Sequence, residues 1–272
     1  PLTTYTQEFT MPCIFTGEYH DLVWGTPVLS SQELFAQLSL ASQQAGVSWR
    51  IVWNKRHDYK AAFHNWDMRK IAAMGEADLD RLCDKDGPWV GRVMQHRNKL
   101  SAIIHNAKQC VAIDDATPGG LSGYLWSFVA EEDKSPAPLL EVRIPSGPTL
   151  SLKAQFINNY KDASCGAYQN TFGQTSEVSD RLEAVLRKKN KDGAADAPFA
   201  EPFRFLGSIT IQAFLLQCGL LNGHCPSCSK NPRCCGGGSK KRKQQEQQEA
   251  PATTYGKKRK ASSSVSADDV WL

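Results

Sequence analysis

The segment His224-Cys225-Pro226-Ser227-Cys228 sets one imidazole and two thiols close together in the chain, and Cys234 and Cys235 follow shortly after. Thiolate and imidazole together are the donor set that zinc takes in tetrahedral sites of four ligands. Cys225, Cys228 and Cys234 with one further ligand could close such a site locally. Alternatively, the cluster recruits Cys13 and His20 from the other end of the sequence. A second stretch, "LASQQAGVSW" (40–49), follows an amphipathic run in which Leu34, Leu38, Ala41 and Ala45 recur at helical spacing. Gln43 and Gln44 interrupt that run, Gly46 breaks it, and Trp49 comes next. This is either a polar helix end with Trp49 bound for the core, or a surface that fills a gap in something flat. A third stretch, "DKDGPWVGRVMQHRNK" (84–99), is a glycine-containing turn carrying Arg92, His96, Arg97 and Lys99. Backbone N–H groups exposed at such a turn suit a phosphate, although basic turns between helices are more often simply solvated.

These residues need elements to hold them. Residues 1–12 read as an irregular arm, and the text from 19 to 129 is helical. Ser30 and Glu33 form a capping-box pattern ahead of the helix that holds Leu34, Phe35 and Leu38. A second helix is predicted over about 48–57. "DMRKIAAMG" (67–75) opens on an acidic cap and stops at a glycine, and "EADLDRLC" (76–83) gives another short helix. Leu100, Ile103, Ile104, Ala107 and Val111 mark a further one. The segments 76–83 and 97–111 therefore flank the basic turn in a helix-hairpin-helix layout. At 131 the composition shifts to Pro, Gly, Ser and Asn, and 131–174 reads as an insertion with short strands around 139–144 and 149–153. Helical text resumes at 176–189, with Val178, Leu182, Val185 and Leu186 on one stripe. It continues at 207–223, with Ile209, Ala213, Leu216 and Leu220 facing the core. Beyond residue 235 the chain is rich in Gly, Gln, Lys and Ser and is expected to be disordered. The expectation is an all-α domain over 1–235 and a basic tail over 236–272.

Composition narrows the function. A chain of 272 residues, 41% hydrophobic, supports one sizeable core. No apolar run is long enough to suggest a transmembrane helix, and no secretory pattern is visible. Of the 9 cysteines, those at 218, 225, 228, 234 and 235 cluster, as in a reducing compartment with local metal or structural use. The net charge is only +4 but uneven, with KKRK at 240–243 and again at 257–260. The pair resembles a bipartite nuclear-import signal; as a plain basic tail it would still hold phosphates in a salt-dependent way. Both readings put the chain with nucleic acid, and the first puts it in the nucleus.

Longer stretches carry a resemblance. "YHDLVWGTPVLSSQELFAQLSLASQQAGVSW" (19–49), "NKRHDYKAAFHNWDMRKIAAM" (54–74), "HRNKLSAIIHNA" (96–107), "WSFV" (126–129) and "FRFLGSITIQAFLLQCGLLNGH" (203–224) resemble the DNA-3-methyladenine glycosylase I family, in order, from about residue 13 to 228. The resemblance implies a helix-hairpin-helix glycosylase fold. It implies hydrolysis of the N-glycosidic bond to 3-methyladenine in double-stranded DNA, leaving an abasic site, by a monomer. It places Trp49 where the family stacks the flipped base, Tyr19 where it closes the pocket, and Gln44 where it inserts a side chain into the duplex. Gly46 then lies in the turn that approaches the strand, and Arg97 and Lys99 sit among the DNA-binding residues of the hairpin. A structural zinc is implied too, with His20, His224 and Cys228 matching the family's ligands and Cys13 the nearest match to its N-terminal cysteine. No activating carboxylate is expected, and no catalytic acid or base is assigned.

Three departures stand out. Ala41 occupies the position of the family's pocket glutamate ("LEGQQAG" there, "LASQQAG" here), which bears on rate and base selectivity; Ser42, acting through water, is the one substitute the stretch offers. The spacing from Cys13 to His20 is shorter than the family's, which leaves Cys225 as an alternative fourth ligand. The hairpin carries extra residues around "PWVGR", with Asn98 in place of a usual glycine. The retained Trp49, Tyr19 and Gln44 favour an active enzyme. Ala41 leaves two alternatives: a non-catalytic damage-binding relative, or a glycosylase of altered base preference.

Overall fold

The computed structural model describes residues 19–130, 139–143, 149–153, 175–187, 197–221, 223, 224 and 228. In chain order the helices are α1 (Ser31–Gln43), α2 (Trp49–Asn54), α3 (Arg56–Ala62), α4 (Met68–Ala72), α5 (Glu76–Cys83), α6 (Arg97–Ala116), α7 (Gly120–Ala130), α8 (Glu177–Leu186) and α9 (Ser208–Gln217). A π-helical turn covers Tyr19–Val23 and a 3-10 turn covers His64–Trp66. Inside the insertion, β1 (Leu139–Arg143) and β2 (Thr149–Lys153) pair as an antiparallel hairpin with Leu139 opposite Lys153. The domain is thus helical, as expected, and carries the two short strands expected of the insertion.

The centre is α6. Its 20 residues contain neither Gly nor Pro, and Pro118 and Gly119 follow soon after its end. Leu100, Ile103, Ala107, Cys110 and Ile113 form its buried stripe. Helices α1, α4, α5 and α7 pack on it, while α9 packs on α1 and α8. Each fully buried aliphatic side chain contributes roughly 1.5–3 kcal/mol. Docking of this kind is what sustains α2 to α5, because helices this short are marginal alone. Side chains of α6 also grip the chain leading into α9. Asn106 exchanges two hydrogen bonds with the Arg204 backbone, at 3.0 and 2.8 Å, and the Gln109 side-chain oxygen accepts the Glu201 N–H.

Several boundaries differ from the sequence reading. The helix predicted over 48–57 is two helices, because Lys55 leaves helical geometry at φ −98°, ψ 3°. Helix α6 runs on to Ala116, and α7 is separate from it. Ala45, expected on the apolar face of α1, lies beyond the helix end and is exposed. Ile209 is 55% exposed rather than core-facing, because α9 buries Ile211, Phe214 and Leu215 instead. The arm 1–12 and the tail 236–272 lie outside the described residues.

Candidate functional site

The end of α1 and the start of α2 bring the first group of residues together. Trp49 and Trp53 stand four apart in α2 and therefore share a face; their rings are tilted at 36° with centroids 6.1 Å apart. Tyr19, from the π-helical turn, meets Trp53 edge-on at 4.7 Å, and Trp24 lies 6.5 Å beyond Tyr19. π-Helical turns inside folds recur at functional sites because they re-aim one side chain. Burial pushes the Tyr19 hydroxyl well above the ordinary tyrosine range, against the pull of the Trp49 side chain. Burial therefore keeps the Tyr19 hydroxyl in its neutral, protonated form. The Arg56 guanidinium sits 4.1 Å from the Trp53 ring centre and donates to the Trp53 carbonyl at 3.1 Å. Ala41, in the last turn of α1, is 1% exposed. Ser42 is fully buried; its hydroxyl donates to the Ser39 carbonyl at 2.6 Å and accepts from Gln43. In this arrangement the Ser42 proton goes to the Ser39 carbonyl.

Between Ala41 and Trp49 the chain makes a tight turn. The Gln44 N–H bonds the Ala41 carbonyl and the Val47 N–H bonds the Gln44 carbonyl. Gly46 takes φ +77°, a left-handed conformation that glycine adopts without a steric penalty. Gln44 is half-buried, while Ala45 and Gly46 are exposed at the tip.

The hairpin 84–96 joins α5 to α6. Gln95 donates to the Leu82 and Asp84 carbonyls at 3.2 and 2.7 Å, which fixes the end of α5. Lys55 donates to the Gly91 and Arg92 carbonyls, and Arg92 donates to Asp58 at 2.7 Å. The extra residues around "PWVGR" are thereby tied to α3 and to the residue before it. His96 precedes α6 without a side-chain cap, which leaves the first N–H groups of that helix to other partners. The two basic residues assigned to DNA part company here. Arg97 is exposed and held by Glu76 at 2.5 Å and Asp80 at 2.7 Å. Lys99, expected at the DNA surface, is instead 8% exposed; its ammonium donates to the Gln43 carbonyl at 3.0 Å and the Ala45 carbonyl at 2.5 Å.

At the far end of α9 the structure brings His20, His224 and Cys228 together, with their donor atoms within 4.8 Å of one another. The Cys228 sulfur lies 3.4 Å from His20 Nε2 and 3.7 Å from His224 Nδ1. The Asp21 carboxylate sits 2.8 Å from His20 Nδ1. An ionised carboxylate only accepts, so Nδ1 is the donor in that contact, and in the neutral imidazole this leaves the Nε2 lone pair for a metal. Gly25, at φ +66°, is required by packing as well as by backbone: a Cβ there would lie 2.6 Å from His224 Nε2. Cys13, Cys225 and Cys234 lie outside the described residues.

The sequence reading missed Trp53, Arg56, Asp21 and Gly25. The i, i+4 spacing from Trp49 pointed to Trp53, and the carboxylate next to His20 pointed to Asp21.

Comparison with known proteins bears on all of this. A family described as methyladenine glycosylase matches residues 14–153. The chain is 31% identical over 225 residues to the DNA-3-methyladenine glycosylase of Haemophilus influenzae, covering 80% of this chain and 97% of that one. Among solved structures, 3-methyladenine DNA glycosylase I superimposes with a TM-score of 0.59 at 29% identity, over 82% of this chain and 100% of that one. A tyrosine-to-phenylalanine variant of such an enzyme, solved in complex with 3-methyladenine, gives 0.55 at 28% identity, over 79% of this chain and 90% of that one.

Proposed function

Since the chain belongs to the methyladenine glycosylase family, we propose that it is a base-excision DNA glycosylase. Its reaction is hydrolysis of the N-glycosidic bond of 3-methyladenine in alkylated double-stranded DNA. The observation that carries this reading is the aromatic group of Tyr19, Trp49 and Trp53, set immediately after the exposed turn at Gln44 to Gly46. A base inside a duplex is out of reach and must be rotated out, at a cost of a few kcal/mol of stacking and pairing. Gln44 at the turn fills the vacated space. The indole face of Trp49 recovers about 1–3 kcal/mol by stacking on the extruded base. A methylated adenine that carries positive charge gains further from an electron-rich ring. It is also an activated leaving group, because its departure neutralises that charge. The chemistry then calls for shape, stacking and exclusion of water more than for a strong acid.

A second reading, a glycosylase of altered base preference, is favoured by one specific observation. Ala41 is buried where the resemblance expects a glutamate, and the adjacent Ser42 hydroxyl donates to the Ser39 carbonyl. One assay separates the readings: duplex DNA methylated with an alkylating agent is incubated with the protein, and the released bases are identified by chromatography. Release of 3-methyladenine supports the first reading, release of other bases supports the second, and binding without release supports a non-catalytic relative.

The His20, His224 and Cys228 cluster is read as part of a structural zinc site. With Zn–N near 2.0–2.1 Å and Zn–S near 2.3 Å, the N···S edge of a tetrahedron is about 3.5 Å, beside the 3.4 and 3.7 Å separations at Cys228. Cys13 is the proposed fourth ligand and Cys225 its alternative. Bound there, zinc would join the segment at His20 to the end of the last core helix. Action as a monomer and nuclear location through the two KKRK clusters complete the proposal.

A further inference from the structure

Lys99 is basic and lies at the start of the helix after the hairpin, yet it is buried. Its ammonium is buried against the end of α1, donating to the Gln43 and Ala45 carbonyls. Those carbonyls bracket Gln44 on either side. The contact is reciprocal, because the Gln43 side-chain amide donates back to the Lys99 carbonyl at 3.0 Å. A helix end presents unpaired carbonyls and partial negative charge, and a cation there is favourable. The network extends further. The Tyr59 hydroxyl donates to Gln43 Oε1 at 3.4 Å and accepts the Met94 N–H at 3.2 Å. Met94 belongs to the hairpin and Lys99 to the first turn of α6. Two separate strands of this network therefore run from the hairpin region to the residues that carry Gln44.

We propose that Lys99 is a positioning residue that locks the Gln44–Gly46 turn to the helix-hairpin-helix element, so that the hairpin's hold on the DNA backbone and the turn's entry into the duplex occur in one fixed register. The inference rests on the reading of Gln44 as the inserted side chain. Two carbonyl bonds from one ammonium set the distance between hairpin and turn, and insertion depends on that distance. Lys99 acts through the turn and touches no DNA itself. Burial, which lowers the Lys99 pKa, accords with an ammonium held away from solvent.

The test compares Lys99→Met, which keeps the length and loses the donors, with wild type and with Gln44→Ala. Affinities for an abasic-site duplex and for an undamaged duplex are measured across a salt series. A 2-aminopurine beside the abasic site reports insertion through its fluorescence. Lys99→Met should weaken abasic-duplex binding by roughly tenfold to a hundredfold and reduce the fluorescence change. Undamaged-duplex affinity should hold, and so should the slope of log affinity against log salt. A slope smaller by about one unit shows a direct phosphate contact and overturns the proposal. Equal weakening on both duplexes shows a general loss of structure and also overturns it. If Lys99→Met fails to fold, Tyr59→Phe serves in its place: it deletes one hydroxyl of the same network and should lower abasic preference by a smaller factor, and unchanged preference overturns the proposal. Gln44→Ala without effect defeats the insertion reading itself. Gln44→Ala with an effect, beside a folded Lys99→Met without one, defeats the positioning role alone.

Discussion

Ala41→Glu should raise the excision of 3-methyladenine, and the structure sets the size of the gain. Position 41 lies in the last turn of α1, 1% exposed, a few residues before Trp49. Two effects oppose a carboxylate there. Burial disfavours its charged form, and an anion near a helix C-terminus costs about 0.3–1 kcal/mol. One effect already in place helps, because the Lys99 ammonium sits at that same helix end, 3.0 Å from the Gln43 carbonyl. A charge-assisted hydrogen bond to the flipped base contributes about 1.5–3 kcal/mol. Realised in the transition state, that is roughly tenfold to a hundredfold in rate, and the helix-end penalty trims it toward the lower figure. Single-turnover excision from duplexes carrying one 3-methyladenine or one neutral lesion measures it. The gain should be confined to the cationic base. It should grow as pH rises through the new carboxyl's pKa, since only the ionised form pairs with the base. A variant that loses activity on every substrate refutes this reasoning: the pocket is then built around a small side chain, and the altered-preference reading stands.

Other consequences are open to direct measurement. Protein purified without chelators should carry one zinc per chain by elemental analysis, and His224→Ala should lose it together with thermal stability; metal-free wild type sinks the assignment. Zinc retained after Cys13→Ala moves the fourth ligand to Cys225. Asp67 caps α4 by accepting the Arg69 and Lys70 N–H groups, both at 3.1 Å, so Asp67→Ala should cost about 1 kcal/mol near neutral pH. Those backbone bonds, the one from Lys70 foremost, hold the Asp67 carboxyl below the ordinary aspartate value of 3.8. Its contribution is therefore present above that value and fades as pH falls through the lower folded-state pKa, and denaturant melts of wild type and variant should converge in acid. Deleting residues 236–272 should leave the excision rate at low salt unchanged and abolish nuclear accumulation of a fluorescent fusion.

Elements with local punctuation were legible in the sequence. Helix α5 matches its predicted 76–83 because Gly75 and Asp78 mark its start within the segment itself: the Asp78 carboxylate accepts the Gly75 N–H at 2.9 Å. The hairpin strands appear where turn residues bound short apolar alternations. The break at Lys55 was not legible, since neither Gly nor Pro stands near it. Its cause is tertiary, because the Lys55 ammonium reaches the Gly91 and Arg92 carbonyls of the hairpin. Ile209 was misplaced for a related reason. Helix α9 is apolar on most of its circumference, and periodicity cannot choose a buried face when nearly every face qualifies.

The basic residues of the hairpin show where charge alone stops being informative. Arg97 and Lys99 are two residues apart and look alike as phosphate ligands, but residues at that spacing point to different sides of a helix. Arg97 turns outward and meets Glu76 and Asp80 from the first two turns of α5. Such exposed pairs are each worth little, about 0–1 kcal/mol, so a phosphate can displace them at small cost. Lys99 falls on the stripe of Ala102, Ile103, Asn106, Cys110 and Ile113, all buried in α6. The stripe read from the sequence, Leu100, Ile103, Ile104, Ala107 and Val111, shares only Ile103 with it, so the place of Lys99 on a buried face was not legible there. A lysine on a buried face needs buried acceptors, because an unpaired buried cation is strongly unfavourable. Backbone carbonyls accept from an ammonium with no counter-charge in the sequence, and a helix end supplies them in excess. Lys99 therefore points to the end of a neighbouring helix, and the helix it meets is the one that ends in the turn carrying Gln44.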